Sequence, residues 1–212
     1  MNRLPGWVRQ HVAALRGLLI LTVITGIAYP VVMWGVGQVA FHDQVNGSLV
    51  SYHGRVIGSS LLCQEFVDAK GNPLPQYFQP RPSSAVNSAV KTDYGCDPLF
   101  SAASNLGPNN PALVQQIKQR QKQIAALDHV KVSQIPADAV TASGSGLDPD
   151  ISPQNADIQV NRVAAARHVS PAAVMALVNQ YTQGRALGFL GEPRVDVLNL
   201  NIALDEKYPA GG

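Results

Sequence analysis

Residues 17–41, from Gly17 to Phe41, carry no charged side chain. At about 1.5 Å of rise per helical residue, roughly 20 residues cross a hydrocarbon layer, so this run predicts one membrane-spanning helix. Beyond it the pattern shortens. Ser48–Tyr52 and Arg55–Gly58 alternate apolar and polar positions around His53-Gly54, which predicts a β-hairpin. Residues 68–111 hold seven prolines and three glycines, so regular structure cannot propagate there, yet Tyr77, Phe78, Tyr94 and Phe100 predict an ordered, packed segment. Asn110-Pro111 opens a helix whose apolar stripe is Leu113, Ile117, Ile124 and Leu127. Ser152-Pro153 and Ser170-Pro171 open two more, and Gly184 stops the second of these. The stretch Arg194–Leu204 reads as a strand, with Leu198, Leu200, Ile202 and Leu204 on one face and Asn199 and Asn201 on the other. The fold class expected is a single N-terminal transmembrane helix plus one mixed α/β extracytoplasmic domain.

Arg3, Arg9 and Arg16 precede the apolar run, and every acidic residue follows it. Short loops rich in Lys and Arg stay cytoplasmic, so the division expected is a short cytoplasmic N-terminus over 1–16, a transmembrane helix over 17–41 and a periplasmic domain over 42–212. A cleaved signal peptide is the competing reading. Its apolar core normally runs 7–15 residues and ends in a small-x-small site, neither of which this run shows. Along the span, Thr22, Gly26, Pro30, Met33 and Gly37 form a stripe that would let a second helix approach closely, with Pro30 expected to kink the helix. The plainer account is that Gly and Pro are simply common in membrane helices.

Charge and cysteine usage narrow the function. From Asp43 onward the chain holds 13 Lys plus Arg and 14 Asp plus Glu, so it lacks the basic field that nucleic acid or anionic lipid would require. Cys63 and Cys96 are the only cysteines. Outside the cytoplasm they are able to form one disulfide, and free thiols remain the alternative. Their spacing is not that of metal ligands, and no His cluster accompanies them.

Three motifs suggest chemistry. Ser88-Ala-Val-Lys91 matches the S-x-x-K of penicillin-recognising enzymes, which would make the chain a membrane-anchored periplasmic Ser/Lys acyl enzyme, but S-D-N and K-T-G are absent. Ser143-Gly144-Ser145-Gly146 is a glycine-serine cluster whose amides could cradle an anion. With Asp148 and Asp150 following and no Lys or Arg from 132 to 161, a tight hydroxyl-capped turn is preferred. Arg162–Val174 resembles a helix-turn-helix, but Pro171–Thr182 carries no Lys or Arg for phosphates or base edges, which favours a plain helical hairpin.

Longer phrases go further. Tyr77-Phe-Gln-Pro-Arg-Pro-Ser83, Ser104-Asn-Leu-Gly-Pro-Asn109, Val140–Pro153, Gln159–Arg167 and Gly188-Phe-Leu-Gly-Glu-Pro-Arg-Val-Asp-Val-Leu-Asn-Leu-Asn201 occur in that order. Together they resemble the C subunit of the bacterial Kdp potassium-transporting ATPase over nearly the whole chain. The resemblance implies a non-catalytic accessory subunit of the inner membrane. Its implied partners are a potassium-binding channel-like subunit, an ATP-hydrolysing P-type subunit and a small single-helix subunit. It also implies a catalytic-chaperone role that raises the ATP affinity of the hydrolysing subunit, with no tightly bound cofactor and ATP met, if at all, through that subunit. Candidate partner or nucleotide contacts within or near these phrases are Gln79, Arg81, Ser83, Asn105, Ser143, Gly144, Ser145, Gly146, Asp148, Gln159, Arg162 and Asn199. Asp196 departs from the family, where Asn is expected.

Overall fold

The computed structural model describes residues 5–87, 89 and 94–210. It divides into two compact units, Met1–Ser48 and Leu49–Gly212.

The first unit is dominated by α1, Gly6–Ala40, a 35-residue helix with a mean hydropathy of 2.0 over its most apolar window. It begins well before the uncharged run, so Arg9 and Arg16 lie on its first turns. Its large apolar side chains, such as Leu18, Ile20 and Trp34, are exposed within the chain. The helix is long and apolar enough to cross a membrane. Ile24–Ala28 form a π-helical turn just before Pro30. Pro30 donates no backbone N–H, and the wider turn accommodates that missing bond. Thr25 Oγ1 donates to the Leu21 carbonyl at 2.7 Å within the same stretch. A short helix α2, His42–Val45, follows. It returns Val45 against Gly37, where an added Cβ would sit 2.7 Å from Val45 Cγ1. The chain's own turn therefore occupies Gly37, whereas Gly26 meets only Thr22 of its own helix, at 3.8 Å.

In the second unit, β1 (Leu49–Tyr52) and β2 (Arg55–Ser59) form an antiparallel hairpin. The turn residues His53 and Gly54 both have positive φ, as a two-residue hairpin turn needs. Helix α3, Pro111–Asp128, starts at Asn110, whose side chain accepts from the Ala112 amide, and ends at His129 in the left-handed region. Helix α4 is Ala137–Val140. Strand β3 (Asp150–Ile151), helices α5 (Pro153–Ala166) and α6 (Pro171–Tyr181), and strands β4 (Thr182–Gln183) and β5 (Arg194–Asp196) complete the centre. The three short strands form an antiparallel sheet ordered β3-β5-β4. Ser152 and Ser170 cap α5 and α6 through the Asn155 and Ala173 amides. The core lies where α5, α6 and the sheet meet the last helix, around Val163, Val174, Val178, Val195, Leu200 and Leu204.

The C-terminal expectation is corrected. Only Arg194–Asp196 is strand, and Val197–Lys207 is helix α7. Asp196 caps it, accepting from the Asn199 amide at 2.8 Å. Val197, Leu200, Asn201 and Leu204 are buried together at helical spacing. The alternating leucines imitate a strand because Asn201, polar in sequence, is buried on the helix's inner face.

Candidate functional site

The centre of the second unit is a proline-rich segment rather than a strand. Pro75–Pro82 opens with a turn at Pro75–Gln76 and lies against α5 and α7, with Phe78 fully buried. Prolines cannot complete a sheet ladder, so its buried backbone groups need other partners. Side chains supply them. Asn201 accepts from the Phe78 amide and donates to the Phe78 carbonyl, both at 2.9 Å. Gln159 treats the next residue the same way, accepting from Gln79 N at 2.7 Å and donating to Gln79 O at 3.2 Å. Arg162 donates through Nη1 to the carbonyls of Pro75 and Tyr77, both at 2.8 Å. Its Nη2 donates to Gln159 Oε1 at 2.7 Å, and its Nε to Asp128 at 2.6 Å. Arg167 donates to Gln76 O, Tyr208 O and Asp205. Two amides and two guanidinium groups thus take the place of a neighbouring strand.

The guanidinium fork is what this task requires, since one Arg reaches several carbonyls in fixed geometry while its charge is balanced by a carboxylate. Arg162 and Asp128 are both buried. Burial holds the Asp128 carboxyl above the usual carboxylate range, against the pull of Arg162. Arg167 also lies 5.0 Å from the Tyr77 ring centre. Burial, then the nearby Asp205, pushes the Tyr77 hydroxyl up.

Downstream, the segment is tied to the Ser143–Asp148 turn. Arg81 pairs with Asp148 at 2.7 Å. Ser83 Oγ donates to Gly146 O at 2.7 Å and accepts from the amides of Ala85 and Cys96. Three of the turn's amides are engaged: Ser143 N donates to Pro82 O, Gly146 N to Ser143 O, and Leu147 N to Ser145 Oγ. Gly146 has φ of 72°, and a Cβ there would lie 2.5 Å from Ala102 O and 2.8 Å from Ala85 Cβ. A Cβ on Gly144 meets nothing within 4 Å. Gly146→Val is therefore expected to cost roughly 2–3 kcal/mol, from left-handed strain and the clash. Gly144→Val should stay within about 0.5 kcal/mol of wild type. Urea unfolding of the two variants separates them; equal midpoints would contradict the assignment. Cys63 and Cys96 are joined in a disulfide, Cα–Cα 5.5 Å, beside this turn.

A cleft of about 850 Å³ opens next to the segment, lined among others by Gln79, Arg81, Tyr94, Arg120, Gln159 and Arg162. Its cations are committed. Arg81 and Arg162 are in ion pairs, and Arg120 donates to the Val140 carbonyl at 3.0 Å. Burial also lowers the Arg120 pKa. Arg81 Nε and Ser143 Oγ are buried without a hydrogen-bond partner.

Of the residues singled out by sequence, Gln79, Arg81, Gln159 and Arg162 meet in the cleft, and Ser83, Ser143, Ser145, Gly146 and Asp148 in the adjoining turn. Gly144 and Asn105 are exposed, Asn105 with φ of 51°. Asn199 belongs to the cap of α7. Ser88 and Lys91 lie outside the described residues. Sequence reasoning missed Asp128, Arg167, Asn201 and Asp205, and also Asp138, which accepts from Ser152 N, Ser152 Oγ and Asn155 Nδ2. Arg167 and Asn201 stand inside quoted phrases, but nothing local distinguishes an inward Arg from a solvated one.

Asp196 is buried, and desolvation raises its carboxyl above the ordinary range despite the Asn199 bond. The folded state then holds the proton more tightly than the unfolded one. This group's stabilising effect is complete below about pH 4 and is lost as pH rises through the elevated value. Asn caps helices as well as Asp does. Asp196→Asn is therefore expected to raise the melting temperature at pH 7.5 and to change it little at pH 4. A pH-independent difference would refute the buried-charge account.

The chain joins one helix long and apolar enough to cross a membrane to an α/β unit whose proline-rich segment is laddered by side chains. The family profile that matches, over residues 11–206, is described as "KdpC: K+-transporting ATPase, c chain". Relatives named "Potassium-transporting ATPase KdpC subunit" include one from Streptomyces avermitilis, 47% identical over 97% of each chain. One from Paraburkholderia phytofirmans is 50% identical over 88% of this chain and 91% of its own. One from Mycobacterium tuberculosis is 47% identical over 93% and 98%. The chain belongs to the KdpC family of subunits of the multi-subunit potassium-transporting ATPase.

Proposed function

We propose that this chain is a non-catalytic accessory subunit held by a single span in the bacterial inner membrane. Its N-terminus is cytoplasmic and residues 42–212 are periplasmic. The α/β unit packs over the outer face of the potassium-conducting subunit and stabilises its assembly with the ATP-hydrolysing P-type subunit and the small single-helix subunit. The observation that carries this reading is α1, uncharged over residues 17–40, with large apolar side chains such as Leu18, Ile20 and Trp34 exposed and its basic residues confined to one end.

Any gain in ATP affinity of the hydrolysing subunit passes through assembly rather than through direct capture of nucleotide. The bonded amides of Ser143, Gly146 and Leu147 and the ion pairs of Arg81 and Arg162 support this reading. A periplasm-active reporter fused after Gly212 should be active and a cytoplasm-active one silent. Calorimetry on the purified full chain should give no saturable ATP binding in the micromolar range. A cytoplasmically active fusion would overturn the placement, and stoichiometric micromolar ATP binding would restore direct contact.

A further inference from the structure

The connection between β4 and β5 is built unlike a solvated loop. Ala186 and Leu190 exchange both backbone hydrogen bonds at 2.9 Å, a closed ladder rung outside the main sheet. Arg185 and Glu192 clasp its base at 2.6 Å. Gly188 and Phe189 donate back to Arg185 and Ala186, so the tip is held in shape. On this frame Leu187, Phe189 and Leu190 are 83%, 69% and 51% exposed. Leu187 adopts φ of 54°, a conformation that costs a non-glycine residue energy and here displays an aliphatic side chain to solvent. A Cβ on Gly184, Gly188 or Gly191 would touch nothing within 4 Å, and residues 183–194 are all exposed.

A preformed turn with an aromatic and two aliphatic side chains is the form an interface anchor takes, because little conformational freedom is lost when it docks. Its charges decide between occupants. Arg185 is paired with Glu192, and Arg194 at the strand entrance is paired with Asp150 at 3.0 Å. No cation at the base of the turn is free to seek anionic headgroups, as a membrane-surface anchor would need. Opposite charges around an apolar tip instead match the polar rim and apolar centre of a protein interface.

We infer that the Ala186–Leu190 turn is a docking knob, inserting Leu187 and Phe189 into an apolar, polar-rimmed socket on another subunit of the same ATPase. This rests on the accessory-subunit reading above.

The test expresses the full chain with the other pump subunits and measures how much is retained after purification from detergent-solubilised membrane through a tag on a partner. Leu187→Ser/Phe189→Ser is expected to lower retention at least tenfold while the melting temperature of the free chain is unchanged. Phe189→Leu, which keeps an apolar side chain, should retain the wild-type yield. Wild-type retention of the double variant overturns the knob and leaves the subunit reading intact. Loss of binding to anionic vesicles with retention unchanged also overturns it, in favour of lipid. A wild-type chain that is not retained at all overturns both readings.

Discussion

Arg162→Ala is expected to unfold the α/β unit at a much lower urea concentration, with a loss of about 3–5 kcal/mol. The substitution leaves Asp128 buried without its partner, and breaking a buried pair from one side is the costly way to break it. It also removes the donors to the part-buried Pro75 and Tyr77 carbonyls. Typical domains have only roughly 5–15 kcal/mol in total, so a large share of the stability goes with one side chain. Arg162→Lys should recover little. A compact ammonium cannot reach two carbonyls, a carboxylate and Gln159 together. Urea melts followed by circular dichroism give the value, and a shift under about 1 kcal/mol would show that water or neighbouring groups take over the ladder.

Breaking the Cys63–Cys96 bond, by reduction or by Cys63→Ser/Cys96→Ser, is expected to cost about 3–4 kcal/mol in the chain-entropy model. The bond closes a 33-residue loop that contains the whole proline-rich segment. Losing it frees that loop in the unfolded chain and so widens the ensemble against which the ladder must compete. The check has two parts. Thiol labelling without reductant should modify neither cysteine in the folded chain, and the reduced protein should melt at lower urea. Full labelling of both residues under native, oxidising conditions would overturn the expectation.

Helix starts were plain in the sequence because their chemistry is local. Asn110, Ser152 and Ser170 each precede a proline, and each side chain receives an amide as a cap should. The hairpin at His53-Gly54 was equally local. The last helix was misread because its inner face includes Asn201, and a buried Asn breaks the apolar periodicity on which such reading depends. The candidate residues were found as phrases, but their direction was not visible. Gln159 and Arg162 look like solvated positions of a polar helix face. They are buried because a segment 80 or more residues earlier in the chain has carbonyls and amides to satisfy. No window of neighbouring residues carries that information. Arg120 shows the reverse: it sits in a cluster with Lys118 and Lys122, which stay exposed while Arg120 turns in to Val140.

The side-chain ladder also dictates an order of events while the chain is being made. Phe78 is held by Asn201, 123 residues later, and Arg167 is fixed by the Tyr208 carbonyl, 41 residues beyond it. A chain delivered from its N-terminus exposes the proline-rich segment long before either clasp exists. Until α7 has emerged, Phe78 lacks its Asn201 partner, and contacts of such sequence separation form slowly. Folding of this unit is therefore expected to include a wait between synthesis of Phe78 and synthesis of Asn201. Helix α7 ends that wait, acting as the latch that closes the domain.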